Sequence, residues 1–231
     1  MIKILFEFFR NPYSLFGKGQ NETVPEKLDF LKKAILFCLV SCFVILMIII
    51  LMIEMPLRNL LDISILANLT HNRQAFREST TPLGVILDIC LAAPFLEEGI
   101  FRFILILKSR CLQIISILLI LDFITSFHSF YISSYQYTVI VLPILCMLFF
   151  YNKLLTRPGE EVLQRKFYNY ACWFSCIAFG LAHIRNFAPL QLSLIFLYPF
   201  YVLPQMVYGV VLSYAVVRYK SIFLTFLIHA E

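Results

Sequence analysis

Residues 34–53 run for twenty positions without a charge or a proline. At 1.5 Å of rise per residue, a helix of about 20 residues crosses the hydrocarbon core of a bilayer. The rest of the chain has the same texture. Of 231 residues, 61% are hydrophobic and 14% are charged, and the mean hydropathy is +0.84. A soluble domain carries about 25% charged residues. No polar stretch exceeds about 30 residues, so no second, soluble domain is expected. Within lipid every backbone N–H and C=O must be paired inside the chain, which leaves helices as the spanning elements. The expected fold is all-α: a polytopic transmembrane helix bundle of about seven to eight helices.

Three parts follow from the polar breaks. Residues 1–33 form an N-terminal cytoplasmic or interfacial arm, with Phe6, Phe8, Phe9, Tyr13 and Phe16 beside Lys3 and Arg10. Its apolar stretch is broken by Glu7 and Arg10, which does not suit a cleavable signal peptide. Residues 34–81 hold the first transmembrane helix and a polar connection with Arg58, Arg73 and Arg77. Residues 82–231 form the core, with apolar segments near 82–107, 112–132, 138–151, 167–184 and 190–217. A last segment begins at Ser221 and is read as cut short at Glu231. Residues 152–166, with Pro158-Gly159, are the clearest loop. A cytoplasmic N-terminus puts fourteen Lys and Arg on cytoplasmic connections and four on the opposite side. The positive-inside tendency then gives a multi-pass protein of the plasma or cytoplasmic membrane. The net charge of +5 bears on orientation and anionic lipid, and nucleic acid is not an expected partner. The seven cysteines include no Cys-x-x-Cys pair and read as packing residues.

Glu97, Glu98 and Arg102 stand inside an apolar segment, in Pro-Phe-Leu-Glu-Glu-Gly-Ile-Phe-Arg. One charge near the bilayer centre costs about 2.5–3.5 kcal/mol on insertion scales, so three demand pairing or a polar cavity. Glu98 and Arg102 are four apart, on one helix face, and suit an ion pair. Glu97 is turned about 100° from Glu98 and remains available to water. The alternative is a purely structural staple of all three. His183 follows Phe179 by four residues on the same face, and His229 ends Phe-Leu-Ile-His. Either histidine alone suits a simple interhelical hydrogen bond. Counted along the helices from the cytoplasmic side, Glu97 lies about 16 Å from Lys108, His229 about 12 Å from Ser221 and His183 about 18 Å from Ala171. That similarity of depth points to an active site in an intramembrane cavity.

Two chemistries stay open for such a site. Glu97 acts as general base on a water while one histidine shares the proton and the other stabilises an oxyanion, with no cofactor. Otherwise Glu97, His183 and His229 hold Zn²⁺, which acidifies the water. The signature His-Glu-x-x-His is absent. Asp122, Ser126 and His128 make part of segment 112–132 polar. Asp122 and His128, with Phe179, are candidates for the cavity wall, although interhelical hydrogen bonding accounts for the first two more simply.

The ordered set Glu97-Glu98-x-x-x-Arg102, Phe179-x-x-x-His183 and His229 resembles the CPBP family of intramembrane proteases. That family includes CAAX prenyl proteases, bacteriocin-processing and self-immunity proteins, and relatives of lysostaphin-resistance protein A. Gln205-x-x-x-Gly209-x-x-x-Ser213 adds supporting texture. The resemblance covers residues 82–231. It implies Glu97 as the catalytic glutamate with Glu98 and Arg102 in support, His183 assisting the water, and His229 stabilising the oxyanion. The family pattern continues with Asn or Asp four residues past the last histidine, beyond Glu231. The expected activity is endopeptidase cleavage, near the cytoplasmic face, of a membrane-associated peptide or lipidated protein. The competing expectation is a non-catalytic membrane scaffold or self-immunity protein of the same fold.

Overall fold

The computed structural model describes residues 1–19, 21–102, 105 and 161–229. The expected segments 112–132 and 138–151, with Asp122, Ser126 and His128, lie outside the described residues. Among the described residues every regular element is helical. An arm helix α1 (Ile2–Arg10) precedes the long α2 (Val24–Ile49), which runs through a π turn at Ile50–Glu54 into α3 (Met55–Leu61). α4 (Ile65–Ser79) and α5 (Pro82–Leu87) follow, and a second π turn at Asp88–Ala92 leads into α6 (Ala93–Arg102). After α7 (Glu161–Ala182) come a 3-10 turn at His183–Phe187, α8 (Tyr198–Tyr201), α9 (Leu203–Tyr219) and α10 (Ile222–His229).

Local chemistry sets these limits. α2 begins ten residues before the uncharged run because Thr23 and Glu26 form a capping box and Pro25 sits in its first turn. The Thr23 amide donates to the Glu26 carboxylate at 2.6 Å. Val24–Leu61 is thereby one apolar helix of 38 residues, about 57 Å long and longer than the hydrocarbon core is thick. Among the described residues it alone is both long and apolar enough to cross a membrane by itself. Its exposed face carries Leu36, Leu39, Val40, Phe43, Val44 and Met47, a continuous apolar surface suited to lipid.

The structure gives three of the expected stretches definite limits. The connection 54–81 is mostly helix, since Ser64 caps α4 through the Ala67 amide and Thr81 caps α5 through the Gly84 amide. The loop expected over 152–166 ends early, because α7 starts at Glu161. The segment expected over 190–217, interrupted by Pro199 and Pro204, divides into a 3-10 turn, α8 and α9.

α9 is the centre of the bundle. All its residues from Gly209 to Val217 are buried, as befits a helix that is apolar on every side. It packs against α7, α2 and α10, and α10 in turn packs against α6. Gly209 allows the closest approach to α7: a Cβ there would stand 2.8 Å from the Cys176 carbonyl oxygen.

The two ends of the bundle differ. At one end the arm is docked, with the Gly17 amide on the Val217 carbonyl at 2.8 Å and the Tyr13 amide on the Asn169 side chain at 2.9 Å. Glu22 joins Arg218 and Tyr219 there. At the other end α4 lies on the His183–Phe187 turn. Glu54 organises this second end. Its carboxylate is buried and accepts from the Ser64 hydroxyl, the Leu66 amide at 3.2 Å and the Tyr201 hydroxyl at 2.5 Å.

Replacing Glu54 by Ala strips three donors of their acceptor. We expect a loss of about 1–3 kcal/mol or more, read as a lower thermal unfolding midpoint in detergent. Tyr201→Phe, which removes one donor, should cost less; equal midpoints for Glu54→Ala and wild type would overturn this account.

Candidate functional site

α6 carries Glu97 and Glu98 in its second turn and Arg102 one turn later. Glu98 and Arg102 are both 0% exposed. The expected i,i+4 pair is present, but its N···O separation is 3.8 Å. The Arg102 Nε and Glu98 Oε2 atoms facing each other make no hydrogen bond. The contact is Coulombic, and in a low-dielectric interior that attraction is strong. The hydrogen bonds of the guanidinium go elsewhere: Nη1 donates to Ser175 Oγ at 3.1 Å and Nη2 to the Gly209 carbonyl at 3.5 Å. Its Cζ sits 4.6 Å from the centre of the Phe179 ring, a cation–π contact. Ser175 completes the anchor by donating to the Phe101 carbonyl at 2.7 Å. Arg102 thus ties α6 to α7 and α9 at once.

With Glu98 held, its other oxygen meets His229 Nδ1 at 3.0 Å. His183 Nδ1 lies 2.8 Å from the Phe179 carbonyl. A carbonyl only accepts, so that Nδ1 carries the proton and, in the neutral ring, Nε2 is left as an acceptor. Glu97 Oε2 lies 3.4 Å from His229 Nε2 and 3.6 Å from His183 Nε2. This oxygen is buried and has no hydrogen-bond partner. Three groups on α6, the end of α7 and α10 thereby converge on one point. The Phe179 ring underlies it, with its centre 4.9 Å from that of His183 and 5.4 Å from that of His229.

A cavity of about 770 Å³ opens beside them, lined in part by Glu97, Phe179, His183, His229, Gln205 and Tyr208. It extends to exposed Arg73, Arg77 and Arg185, so its mouth lies at the α4 end of the bundle. That end is opposite the docked arm. The arm and the cavity mouth therefore stand at opposite ends of the described helices. Depth counted along helices puts groups at one level without saying which end is open.

The structure thus brings Glu97, Glu98, Arg102, Phe179, His183 and His229 together, while the candidate wall residues Asp122 and His128 lie outside the described residues. Two further residues contribute: Gln205, from the Gln205-x-x-x-Gly209-x-x-x-Ser213 set read in the sequence, and Ser175, which the sequence reading does not single out. Ser175 bears the visible signal of a serine within an apolar helix. Gln205 lines the cavity with a buried Oε1 that lacks a partner. The donor types are those of a His₂Glu metal site with engaged outer nitrogens. Yet among the described residues no group of three His, Cys, Asp or Glu side chains is arranged to hold a metal ion.

A buried cluster of paired ionisable groups inside an apolar helix bundle, with an uncommitted carboxylate at a cavity, defines a candidate membrane-embedded hydrolytic site. Residues 79–231 match the Rce1-like family, type II CAAX prenyl endopeptidases. The chain belongs to that family, which is one of membrane-integral proteases. Comparison with individual characterised proteins and with solved structures gives no match.

Removing Arg102 leaves Glu98 buried beside no cation on its own helix. Arg102→Met should destabilise by about 3–5 kcal/mol, measured as loss of folded, monodisperse protein in detergent or a lowered unfolding midpoint. Adding Glu98→Gln should recover part of that loss, because the orphaned charge is gone; no recovery would mean the 3.8 Å contact has no electrostatic role.

Proposed function

We propose that this chain is a multi-pass membrane endopeptidase that hydrolyses a peptide bond in a lipidated, membrane-associated substrate, with Glu97 as general base. The observation that carries this reading is the buried, unpartnered Glu97 Oε2 facing both histidine Nε2 atoms at the cavity. A carboxylate and a neutral imidazole nitrogen are acceptors, and a water between them supplies two donors at these separations. Glu97 takes one proton as the water oxygen attacks the substrate carbonyl carbon. His183, fixed by the Phe179 carbonyl, steadies the water through its free Nε2.

The C=O electron pair moves to oxygen and forms a tetrahedral oxyanion. His229 donates from Nδ1 to Glu98, and it donates from Nε2 toward that oxyanion when the ring is doubly protonated, with the Glu98 carboxylate balancing its charge. Glu97 returns its proton to the leaving nitrogen as the C–N bond breaks. Gln205 Oε1 is placed to accept from a substrate backbone N–H. The prenyl endopeptidase family supports a lipidated C-terminal Cys-a-a-X segment as substrate. The apolar lipid would reach the site from the bilayer.

Glu97→Gln keeps the shape and removes the base. Cleavage of a farnesylated Cys-a-a-X peptide by purified protein should fall by about 10²–10⁴-fold, with folding unchanged by thermal unfolding. Undiminished cleavage would sink the assignment. If neither wild type nor variant cleaves any lipidated peptide while both keep a partner-dependent phenotype, the scaffold reading takes its place. Metal analysis of the active protein by mass spectrometry decides the zinc alternative: a stoichiometric ion lost in His183→Ala would overturn the metal-free route.

For orientation we infer a cytoplasmic arm, supported by Lys3, Arg10, Lys18, Lys27, Lys32 and Lys33 at that end. The cavity mouth then faces the non-cytoplasmic side. In a cysteine-free background, Arg77→Cys should react with an impermeant maleimide in intact cells and Lys3→Cys only after permeabilisation. The reverse pattern would invert the protein.

A further inference from the structure

His183 opens the 3-10 turn that follows α7, and this turn is held from outside. Asn72 Nδ2 donates to the Asn186 and Ala188 carbonyls at 3.1 and 2.7 Å. Asn68 Nδ2 donates to the Phe187 and Pro189 carbonyls, each at 3.3 Å. A side-chain amide has two N–H donors. The two asparagines, one helical turn apart on α4, therefore spend all four on four successive carbonyls. Carbonyls at the end of a helical stretch have no partner within it, and here α4 supplies the donors. α4 (Ile65–Ser79) reaches only the first residue of the family-matched stretch, residue 79.

His183 stands where two apolar cores meet. Four residues before it, Phe179 is buried in the core that α2, α7 and α9 share. Four residues after it, Phe187 is buried in a second core with Ile65 of α4 and with Tyr198 and Tyr201 of α8. The ring is tied to the first core, with Nδ1 2.8 Å from the Phe179 carbonyl. The backbone of His183 runs into the second, where the clamp begins three residues on, at Asn186. A shift of one core against the other is thus felt at His183, whose Nε2 lies 3.6 Å from Glu97 Oε2. A misplacement of about 1 Å at a catalytic group can cost about 10²-fold in rate. Asn72 lines the cavity, yet both of its N–H donors are spent on the turn.

We propose that Asn68 and Asn72 are positioning residues for His183. By holding the carbonyls of residues 186–189 they fix the turn that His183 opens, and with it the Nε2 that faces Glu97. This rests on the reading of Glu97 as the base. It adds two residues from before the family-matched stretch, which act through His183 and touch no reacting atom.

The test uses the full-length protein in nanodiscs of zwitterionic lipid. Asn68→Leu/Asn72→Leu keeps much of the side-chain volume and removes all four donors. With a farnesylated Cys-a-a-X peptide, kcat should fall by about 10²-fold while KM changes by less than about threefold. A second readout needs no substrate. In protein carrying isotope-labelled histidine, nitrogen NMR identifies the His183 ring by the signal lost in His183→Ala. Wild type should show one tautomer, protonated at Nδ1, and the double Leu variant a mixture of both, with His229 unchanged. Wild-type kcat in the double variant overturns the proposal. So does a loss carried by KM alone, which would make the asparagines substrate contacts, and so does a fall in kcat with the His183 signal unaltered. If the double variant gives no folded protein, Asn72→Leu alone removes the two shorter bonds and carries the same two readings. A tautomer change in the variant with no cleavage by wild type removes the base assignment alone. Cleavage that is lost in Glu97→Gln but indifferent to the clamp variants removes the positioning role alone.

Discussion

A guanidinium with no access to solvent has to find its partners inside the protein, and Arg102 finds them on three helices. Its charge faces Glu98 on α6, its hydrogen bonds go to Ser175 on α7 and the Gly209 carbonyl on α9, and its flat face lies on the Phe179 ring. Each contact constrains a different helix. Together they set the crossing of α6 with the α7–α9 pair, and that crossing decides where the two glutamates stand. In a bilayer, where helix association lacks the usual hydrophobic drive, such polar contacts and close small-residue packing carry more of the specificity. Gly209 supplies the second element, because its missing side chain lets α9 approach the α7 backbone.

From this anchor the order of dependence runs outward. Arg102 holds Glu98, Glu98 holds the Nδ1 of His229, and His229 presents Nε2 to Glu97. His183 is oriented separately, by the Phe179 carbonyl. Glu97 differs in what its unbonded oxygen faces: Glu98 Oε2 faces the Arg102 guanidinium, whereas Glu97 Oε2 faces the two histidine Nε2 atoms beside the cavity. Adjacent residues on one helix have thus been given unequal environments. One carboxylate is spent on holding a histidine beside a buried cation, and the other is left facing a cavity. A third layer, outside the family-matched region, closes the site: α4 is clamped by Asn68 and Asn72 to the backbone just past His183.

Much of the site was legible because charge is expensive in lipid. Glu97, Glu98 and Arg102 stood out as ionisable groups in an apolar segment, and helical spacing alone paired Glu98 with Arg102. His183 and His229 were legible as polar interruptions at a similar depth. Other parts carry no such signal. Ser175 looks like any small residue of a membrane helix, and Asn68 and Asn72 look like ordinary polar residues of a connection. Their roles depend on which backbone lies opposite, which local spacing does not encode. The connection 54–81 is legible as polar, but the limits of its helices depend on the Ser64 and Thr81 caps.

By itself the sequence determined the helical class, since lipid tolerates no unpaired backbone, and the identity of the ionisable groups that must meet. The 3.6-residue period also determined which of them share a face. Tertiary structure alone decided that Arg102 bonds mainly to other helices and that Glu97 is the carboxylate left facing the cavity. It also decided that the cavity opens at the α4 end, away from the arm. The reason is geometric: periodicity orders side chains around one helix axis, whereas partners, vacancies and openings belong to the space between axes, and that space exists only once the helices have crossed.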